Sequence, residues 1–365
     1  MDVQSEIPPA PRTAAMALVL LVVTALGLAA CEADKPPLPQ VGAVLTETSV
    51  SGLSSGAYMA GQFEFAHSRI VVGAGIVAGG PYGCAENAYA HRLSGPGAAF
   101  FNLSQAINGC MLNAMEMWGI PNPKSLFEKA RERARRNEID PLDNIARHRV
   151  YLFSGTKDHT VATRIVAAAA EVYRLAGVGS DQISVKTDMP AGHAFITSNA
   201  GRACGATRSP YIEDCDYDQA GALLSHIYGP LKPRTERPAG RLTLYDQREF
   251  DADLDDHGLA GAGFVYIPPA CGPGAGCRVH IAFHGCNQNR EKVGDTFAKT
   301  SGFLEWADTN GLIVLFPQVR ITTLNPQGCW DWWGYSGRAY LTRRAPQIVA
   351  VTRMLERLAG KFHTM

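Results

Sequence analysis

The chain has 365 residues, and its 34 Lys and Arg balance 34 Asp and Glu for a formal net charge of zero. That balance lacks the basic excess of nucleic-acid binders, so no nucleic-acid partner is expected. With 46% hydrophobic and 19% charged residues, the chain can bury a large core, which excludes a disordered polypeptide.

The run Ala14–Ala30 is almost wholly apolar, follows Arg12 and closes with Leu28-Ala29-Ala30-Cys31. This reads as an export signal over residues 1–30. The alternative, a membrane anchor, would need roughly 20 apolar residues. Leu-Ala-Ala-Cys resembles a bacterial lipobox, so lipid is expected on Cys31, with a lipid anchor in the membrane and an outer-membrane or periplasmic address. Ordinary secretion is the rival. Residues 31–40 are polar and proline-rich and read as a tether, with one folded domain over 41–365.

The nine cysteines make an odd count. Setting Cys31 aside leaves Cys84, Cys110, Cys204, Cys215, Cys271, Cys277, Cys286 and Cys329, an even set suited to disulfides in an exported protein. Proximity along the chain favours Cys204–Cys215 and Cys271–Cys277, leaving Cys84–Cys110 and Cys286–Cys329 among the many pairings that eight cysteines allow. Zinc is disfavoured because the chain contains no CxxC.

From residue 41 the pattern alternates strand and helix. Strands are expected at Leu45–Val50, Ile70–Val77, Val150–Ser154 and Ile183–Thr187, and helices at Ala57–His67, Lys124–Asn137 and Thr163–Ala176. Residues 231–240 contain Pro and Gly and read as a linker. Beyond them Arg241–Gln247, Gly263–Ile267, Val279–Phe283 and Leu312–Phe316 read as strands and Arg343–Leu358 as a final helix. Such βαβ alternation implies an α/β fold with a mostly parallel sheet flanked by helices.

Gly52-Leu53-Ser54-Ser55-Gly56 fits G-x-S-x-G between a strand and a helix, the setting of a nucleophile elbow. A serine hydroxyl needs a base, and the base needs a carboxylate to fix its tautomer. Asp158 lies just past Val150–Ser154, and His193 lies in the loop after Ile183–Thr187, giving the order Ser, Asp, His. Asp188 is a competitor for Asp158, but Asp158 is the better placed. His280 and His284 are four apart on a strand, so they do not form a helical zinc pair. Gly73-Ala74-Gly75 mimics a dinucleotide fingerprint, but Pro81 stands where its helix would open. Asp251, Asp253, Asp255 and Asp256 read as a solvated turn, without the spacing of a calcium loop.

One oxyanion donor is expected from the residue after the nucleophile, Ser55. The segment His284-Gly285-Cys286, after a strand, resembles the HG-type oxyanion loop of esterases. In the usual α/β-hydrolase that loop precedes the nucleophile. A circular permutation reconciles the two: residues 241–358 followed by 41–229 restore the usual order, with the seam at the 231–240 linker, and termini close in space make this tolerable. The expectation is a circularly permuted α/β-hydrolase in one domain.

Ser-Gly-Leu-Ser-Ser-Gly-Ala-Tyr-Met-Ala, Ser-Gly-Thr-Lys-Asp, Ala-Gly-His-Ala-Phe, His-Gly-Cys-Asn-Gln and Gly-Cys-Trp-Asp-Trp-Trp-Gly-Tyr, in that order, resemble the type 2 catalytic domain of extracellular poly(3-hydroxybutyrate) depolymerases. The resemblance implies a Ser54, Asp158, His193 triad with the Ser55 and Cys286 amides as oxyanion hole. It implies a short-side-chain polyester or oligoester substrate and no cofactor or metal. The seven residues after Leu358 hold no appended polymer-binding domain, so oligomers or amorphous polymer are plausible substrates, and a monomer is expected. Trp330, Trp332 and Trp333, with His284, are the candidates for substrate contact. Alternation along an extended segment would put Trp330 and Trp332 on one side and Trp333 on the other, and a Cys286–Cys329 bridge would clamp them to the oxyanion loop. The rivals are an acetyl or feruloyl esterase acting on polysaccharide and a non-catalytic ligand-binding lipoprotein.

Overall fold

The computed structural model describes Met1 and residues 35–90, 93, 96–112 and 121–361. The export signal and the Cys31 lipid site lie outside the described residues. In chain order the elements are β1 (Val44–Leu53), α1 (Ser55–Ala66), β2 (Val71–Val77), α2 (Pro96–Gly109), α3 (Pro123–Arg135), β3 (Arg149–Phe153), α4 (Thr163–Leu175) and β4 (Ile183–Lys186). Then come β5 (Phe195–Thr197), β6 (Arg202–Ala203), β7 (Ile212–Asp214), α5 (Gln219–Tyr228), β8 (Arg241–Asp246), α6 (Leu254–His257), β9 (Ala262–Ile267) and β10 (Arg278–Phe283). The series closes with α7 (Arg290–Val293), α8 (Thr296–Thr300), α9 (Phe303–Asn310), β11 (Leu312–Phe316) and α10 (Pro346–Leu358).

Eight strands form one sheet in the order β4-β3-β2-β1-β10-β11-β9-β8. The β1–β10 pairing is parallel and in register from Ser49↔His280 to Gly52↔Phe283, so the two halves of the chain meet at the sheet's centre. Only β9 runs against its neighbours. Starting at β8 and passing through the seam into β1, this is the α/β-hydrolase succession with its chain ends relocated. β5, β7 and β6 make a small second sheet.

Period-two alternation divides the side chains between two cores. On β11, Ile313 and Leu315 face the layer of α1, α4 and α10, while Leu312, Val314 and Phe316 face that of α5, α8 and α9. Burial on both faces is why these strands read as continuous apolar runs. The glycines that imitated a dinucleotide motif serve packing: a Cβ at Gly75 would lie 2.1 Å from Leu223 of α5, and one at Gly73 would lie 2.2 Å from the Arg149 carbonyl.

The tether expectation fails over residues 36–40. The Pro36 carbonyl accepts from Asp246 N at 2.9 Å, and Leu38 is buried in the core. One apolar anchor suffices to hold a proline-rich segment against the domain. The helices α2, α5 and α9 carry no strong sequence signal, since glycine, alanine and aromatic residues fill them without a clean polar face. The acidic run is not a plain solvated turn: Asp251 is buried and faces His257 at 2.8 Å, and Asp255 and Asp256 lie on the single-turn helix α6, where Asp255 pairs with Arg320.

Candidate active site

Ser54 stands between β1 and α1 with φ 57° and ψ −118°. A non-glycine residue in that region is strained and persists only where its surroundings over-determine it. Here the Ser54 amide donates to Val77 O at 2.9 Å and its carbonyl accepts from Ala57 N and Tyr58 N. Two glycines make room. A Cβ on Gly52 would lie 2.3 Å from the Gly56 carbonyl, and one on Gly56 would lie 2.3 Å from Phe283 O and 2.5 Å from His284 O. The elbow therefore touches the end of β10 backbone to backbone, with the amino end of α1 directed at the sheet's carboxyl edge. That end carries orphan N–H groups and a partial positive charge.

Asp158 and His193 reach the same edge from the ends of β3 and β4. His193 Nδ1 and Asp158 Oδ2 are 2.8 Å apart, and the Asp158 side chain is fully buried. Asp158 Oδ1 accepts from Thr160 N at 2.7 Å and Val161 N at 2.9 Å, so the carboxylate is fixed from both sides. The competitor Asp188 is excluded: its side chain is 72% exposed and pairs with Lys186. His159 is exposed. Ser54 and His193 are nearly buried, retaining 8% and 6% exposure.

After β10 the His284–Cys286 segment crosses the elbow. His284 is not a substrate contact. It is fully buried, its Nδ1–H donates to Gly285 O at 2.8 Å, and its Nε2 accepts from Val319 N at 3.4 Å. Burial pushes its imidazole down to about 4, so it stays neutral and props the loop. Gln288, which the sequence did not single out, accepts from Gly285 N at 2.8 Å and donates to Pro210 O and Tyr211 O. One side chain thereby joins the loop after β10 to the segment that follows His193.

Four disulfides join Cys84–Cys110, Cys204–Cys215, Cys271–Cys277 and Cys286–Cys329. The last ties the loop after β10 to the tryptophan segment. The expected alternation there is wrong. Buried Asp331 accepts from the amides of Trp333, Gly334, Tyr335 and Ser336 and from the Ser336 hydroxyl, which coils the segment instead of extending it. Burial raises the Asp331 carboxyl above its ordinary value, and its hydrogen bonds to Ser336 oppose the rise. In consequence Trp330 is a core residue, fully buried and edge-on to Phe283 at 4.9 Å, and carries no substrate surface. Its amide donates to Ser55 Oγ at 3.3 Å. Trp332 and Trp333 instead share a separate cluster beside the elbow. Trp332 stacks on Tyr58 of α1 with centroids 4.0 Å apart, and Tyr58, also missed in the sequence, donates to Cys110 O at 2.5 Å. Nothing in the sequence links position 58 to position 332; only the fold does.

Among the described residues the one grouping with metal-ligand proximity is Cys204, Glu213 and Cys215. Its two sulfurs form a disulfide, so no thiolate is there to bind a cation.

A permuted α/β-hydrolase sheet with a strained serine elbow and a buried Asp–His pair at one edge defines a serine hydrolase of the α/β type. Two curated relatives refine that class. A poly(3-hydroxybutyrate) depolymerase of Delftia acidovorans is 37% identical over 354 residues, 95% of this chain; the chain spans 65% of that protein's length. A polyhydroxybutyrate depolymerase of Talaromyces funiculosus is 32% identical over 357 residues, 92% of this chain and 96% of the relative. The chain belongs to the polyhydroxybutyrate depolymerase family. Among solved structures, a PHB depolymerase from Penicillium funiculosum superposes with a TM-score of 0.78 at 30% identity, covering 90% of this chain and all of that one. A serine-to-alanine PHB depolymerase complexed with an R3HB trimer matches equally, with the same score and coverage. No protein-family model matches the chain.

Proposed function

We propose that the chain is a serine esterase that hydrolyses poly(3-hydroxybutyrate) or its oligomers through an acyl-enzyme on Ser54. The observation that carries this reading is the His193–Asp158 contact of 2.8 Å on the sheet edge where Ser54 occupies its strained elbow, in a chain of this family. His193 takes the Ser54 proton as the hydroxyl attacks the ester carbonyl. Asp158 holds the ring with Nε2 toward the serine and stabilises the imidazolium. The Ser55 and Cys286 amides receive the oxyanion. Collapse of the tetrahedral intermediate breaks the carbonyl–alkoxy bond, and the His193 imidazolium gives its proton to the leaving alkoxide oxygen, which departs as the alcohol. Water, deprotonated by His193, then attacks the acyl carbonyl; the bond to Ser54 Oγ breaks, His193 returns the proton to that oxygen, and the acid leaves. Trp332 and Trp333 are the residues proposed to flank the ester chain.

Clearing of a polymer suspension by wild type and Ser54→Ala, beside acetate and ferulate release from substituted polysaccharides, tests this reading. Clearing that depends on Ser54, with no acetate or ferulate released, is expected. The polysaccharide rival requires the reverse.

The disulfides fit a protein that folds in an oxidising compartment, as export provides. Lipidation of Cys31 is proposed on Leu28-Ala29-Ala30-Cys31 alone. Metabolic labelling with a fatty acid, lost in Cys31→Ser, is its test.

A further inference from the structure

We infer that Glu213 is a positioning residue for His193, acting through the backbone of the histidine loop; the inference rests on the serine-esterase reading above. Glu213 lies on β7 and is fully buried. Its carboxylate accepts three backbone N–H groups: Gly192 at 2.9 Å, Gly205 at 2.6 Å and Thr207 at 2.7 Å. Thr207 Oγ1 in turn accepts the His193 amide at 2.8 Å. The residue before the base is thus held by Glu213 directly, and the base itself is held through Thr207. Asp158 fixes the ring of His193; Glu213 and Thr207 fix its main chain.

Three further features show how tightly this arrangement is determined. A Cβ on Gly192 would stand 2.2 Å from Thr207 Oγ1 and 2.8 Å from Glu213 Oε1, so the loop passes the carboxylate without clearance. Thr207 has φ 41°, a region costly for a β-branched residue, and its amide and hydroxyl both engage in this network. The Cys204–Cys215 bridge closes the segment that carries Gly205, Thr207 and Glu213, with Cα atoms 4.9 Å apart.

A glutamate is required chemically. All three partners are donors, and an ionised carboxylate accepts on both oxygens. A glutamine would turn an NH₂ group onto at least one N–H, leaving a buried donor unsatisfied. The loop would then relax, and displacement of a catalytic group by about 1 Å can cost roughly 100-fold in rate.

The test uses the full disulfide-bonded chain carrying Glu213→Gln, Glu213→Asp or Thr207→Val, with Ser54→Ala as control. Hydrolysis of p-nitrophenyl butyrate gives kcat and KM, and stoichiometric labelling with a fluorophosphonate counts competent sites. In Glu213→Gln and Thr207→Val, kcat per labelled site is expected to fall about 10- to 100-fold, with KM within about threefold, and Glu213→Asp to recover part of the loss. Wild-type kcat per labelled site in Thr207→Val, or in a folded Glu213→Gln, overturns the inference, because a merely structural role lowers only the number of sites. Thr207→Val keeps the question open to test if Glu213→Gln does not fold. Undiminished hydrolysis by Ser54→Ala would instead sink the esterase reading, and this inference with it; loss in Ser54→Ala beside undiminished Glu213→Gln refutes the inference alone.

Discussion

Gly56→Ala probes the closest backbone approach in the site. The added Cβ would stand 2.3 Å from Phe283 O and 2.5 Å from His284 O, whereas real Cβ atoms do not come within 3.0 Å of such a neighbour. Neither partner is the end of a flexible side chain, so α1 and the end of β10 must part by 0.7 Å or more, the difference between 2.3 and 3.0 Å. That movement separates Ser54 and Ser55 on one side from Cys286 on the other. Overpacking of this kind costs about 1–3 kcal/mol of stability. A shift near 1 Å within the reacting geometry costs on the order of 100-fold in kcat/KM. Steady-state hydrolysis of p-nitrophenyl butyrate, with circular dichroism to establish folding, measures both. A folded Gly56→Ala protein within threefold of wild-type kcat/KM would refute the reasoning, because the elbow would then not depend on that contact.

Asp158→Asn should keep the ring contact but disfavour the correct tautomer and the imidazolium, lowering kcat by about 10³- to 10⁴-fold with little change in KM; steady-state kinetics decides, and a loss under tenfold contradicts it. Cys329→Ser frees the tryptophan segment from the loop after β10 across a separation of 43 residues, which should cost about 4 kcal/mol on the loop-entropy estimate and lower kcat/KM. Paired Cys271→Ser and Cys277→Ser, at the opposite end of β10, should leave kcat/KM within about twofold; equal activity losses from the two bridges would contradict the assigned clamp. Trp330→Ala should destabilise by about 3–5 kcal/mol, whereas Trp332→Ala should raise KM for a 3-hydroxybutyrate trimer; denaturant titration and trimer kinetics separate the two roles, and identical behaviour refutes them.

Burial pushes the His280 and His284 imidazoles down to about 3 and about 4, while in the unfolded chain they titrate near 6.5. Below that pH the unfolded state binds more protons. The stability they contribute is therefore whole above about pH 6.5 and is lost as pH falls toward about 4 for His284 and about 3 for His280, by up to about 1.4 kcal/mol per unit for each histidine. Urea titrations at pH 7 and pH 5 should show a smaller loss for His280→Asn than for wild type; equal losses contradict the assignment.

The sheet and the elbow were legible because their signals are local. Leu312–Phe316 is apolar at every position because both faces of the strand are buried, and its shortness marks it as a strand instead of a helix; the glycines around Ser54 mark the turn by sterics. The permutation was legible because the oxyanion motif at His284-Gly285-Cys286 follows the serine elbow instead of preceding it, while the cyclic order of the motifs is kept. The roles of the tryptophans were not. Asp331 coils its own segment through five hydrogen bonds, and that side-chain choice leaves no periodic trace. His284 looked like a substrate contact because it opens the oxyanion motif; only its two backbone partners reveal a prop. Glu213, Gln288 and Tyr58 act across separations set by the fold, so no neighbouring residue announces them.

The measurement that bears most directly on the account is the covalent state of Ser54 during turnover. The enzyme is mixed with 3-hydroxybutyrate trimer, quenched in acid within the first turnovers and digested for peptide mass mapping. A 3-hydroxybutyryl ester on the peptide containing Ser54, absent from Ser54→Ala, is the predicted result. An acyl group on another residue, or wild-type trimer turnover by Ser54→Ala, would contradict it.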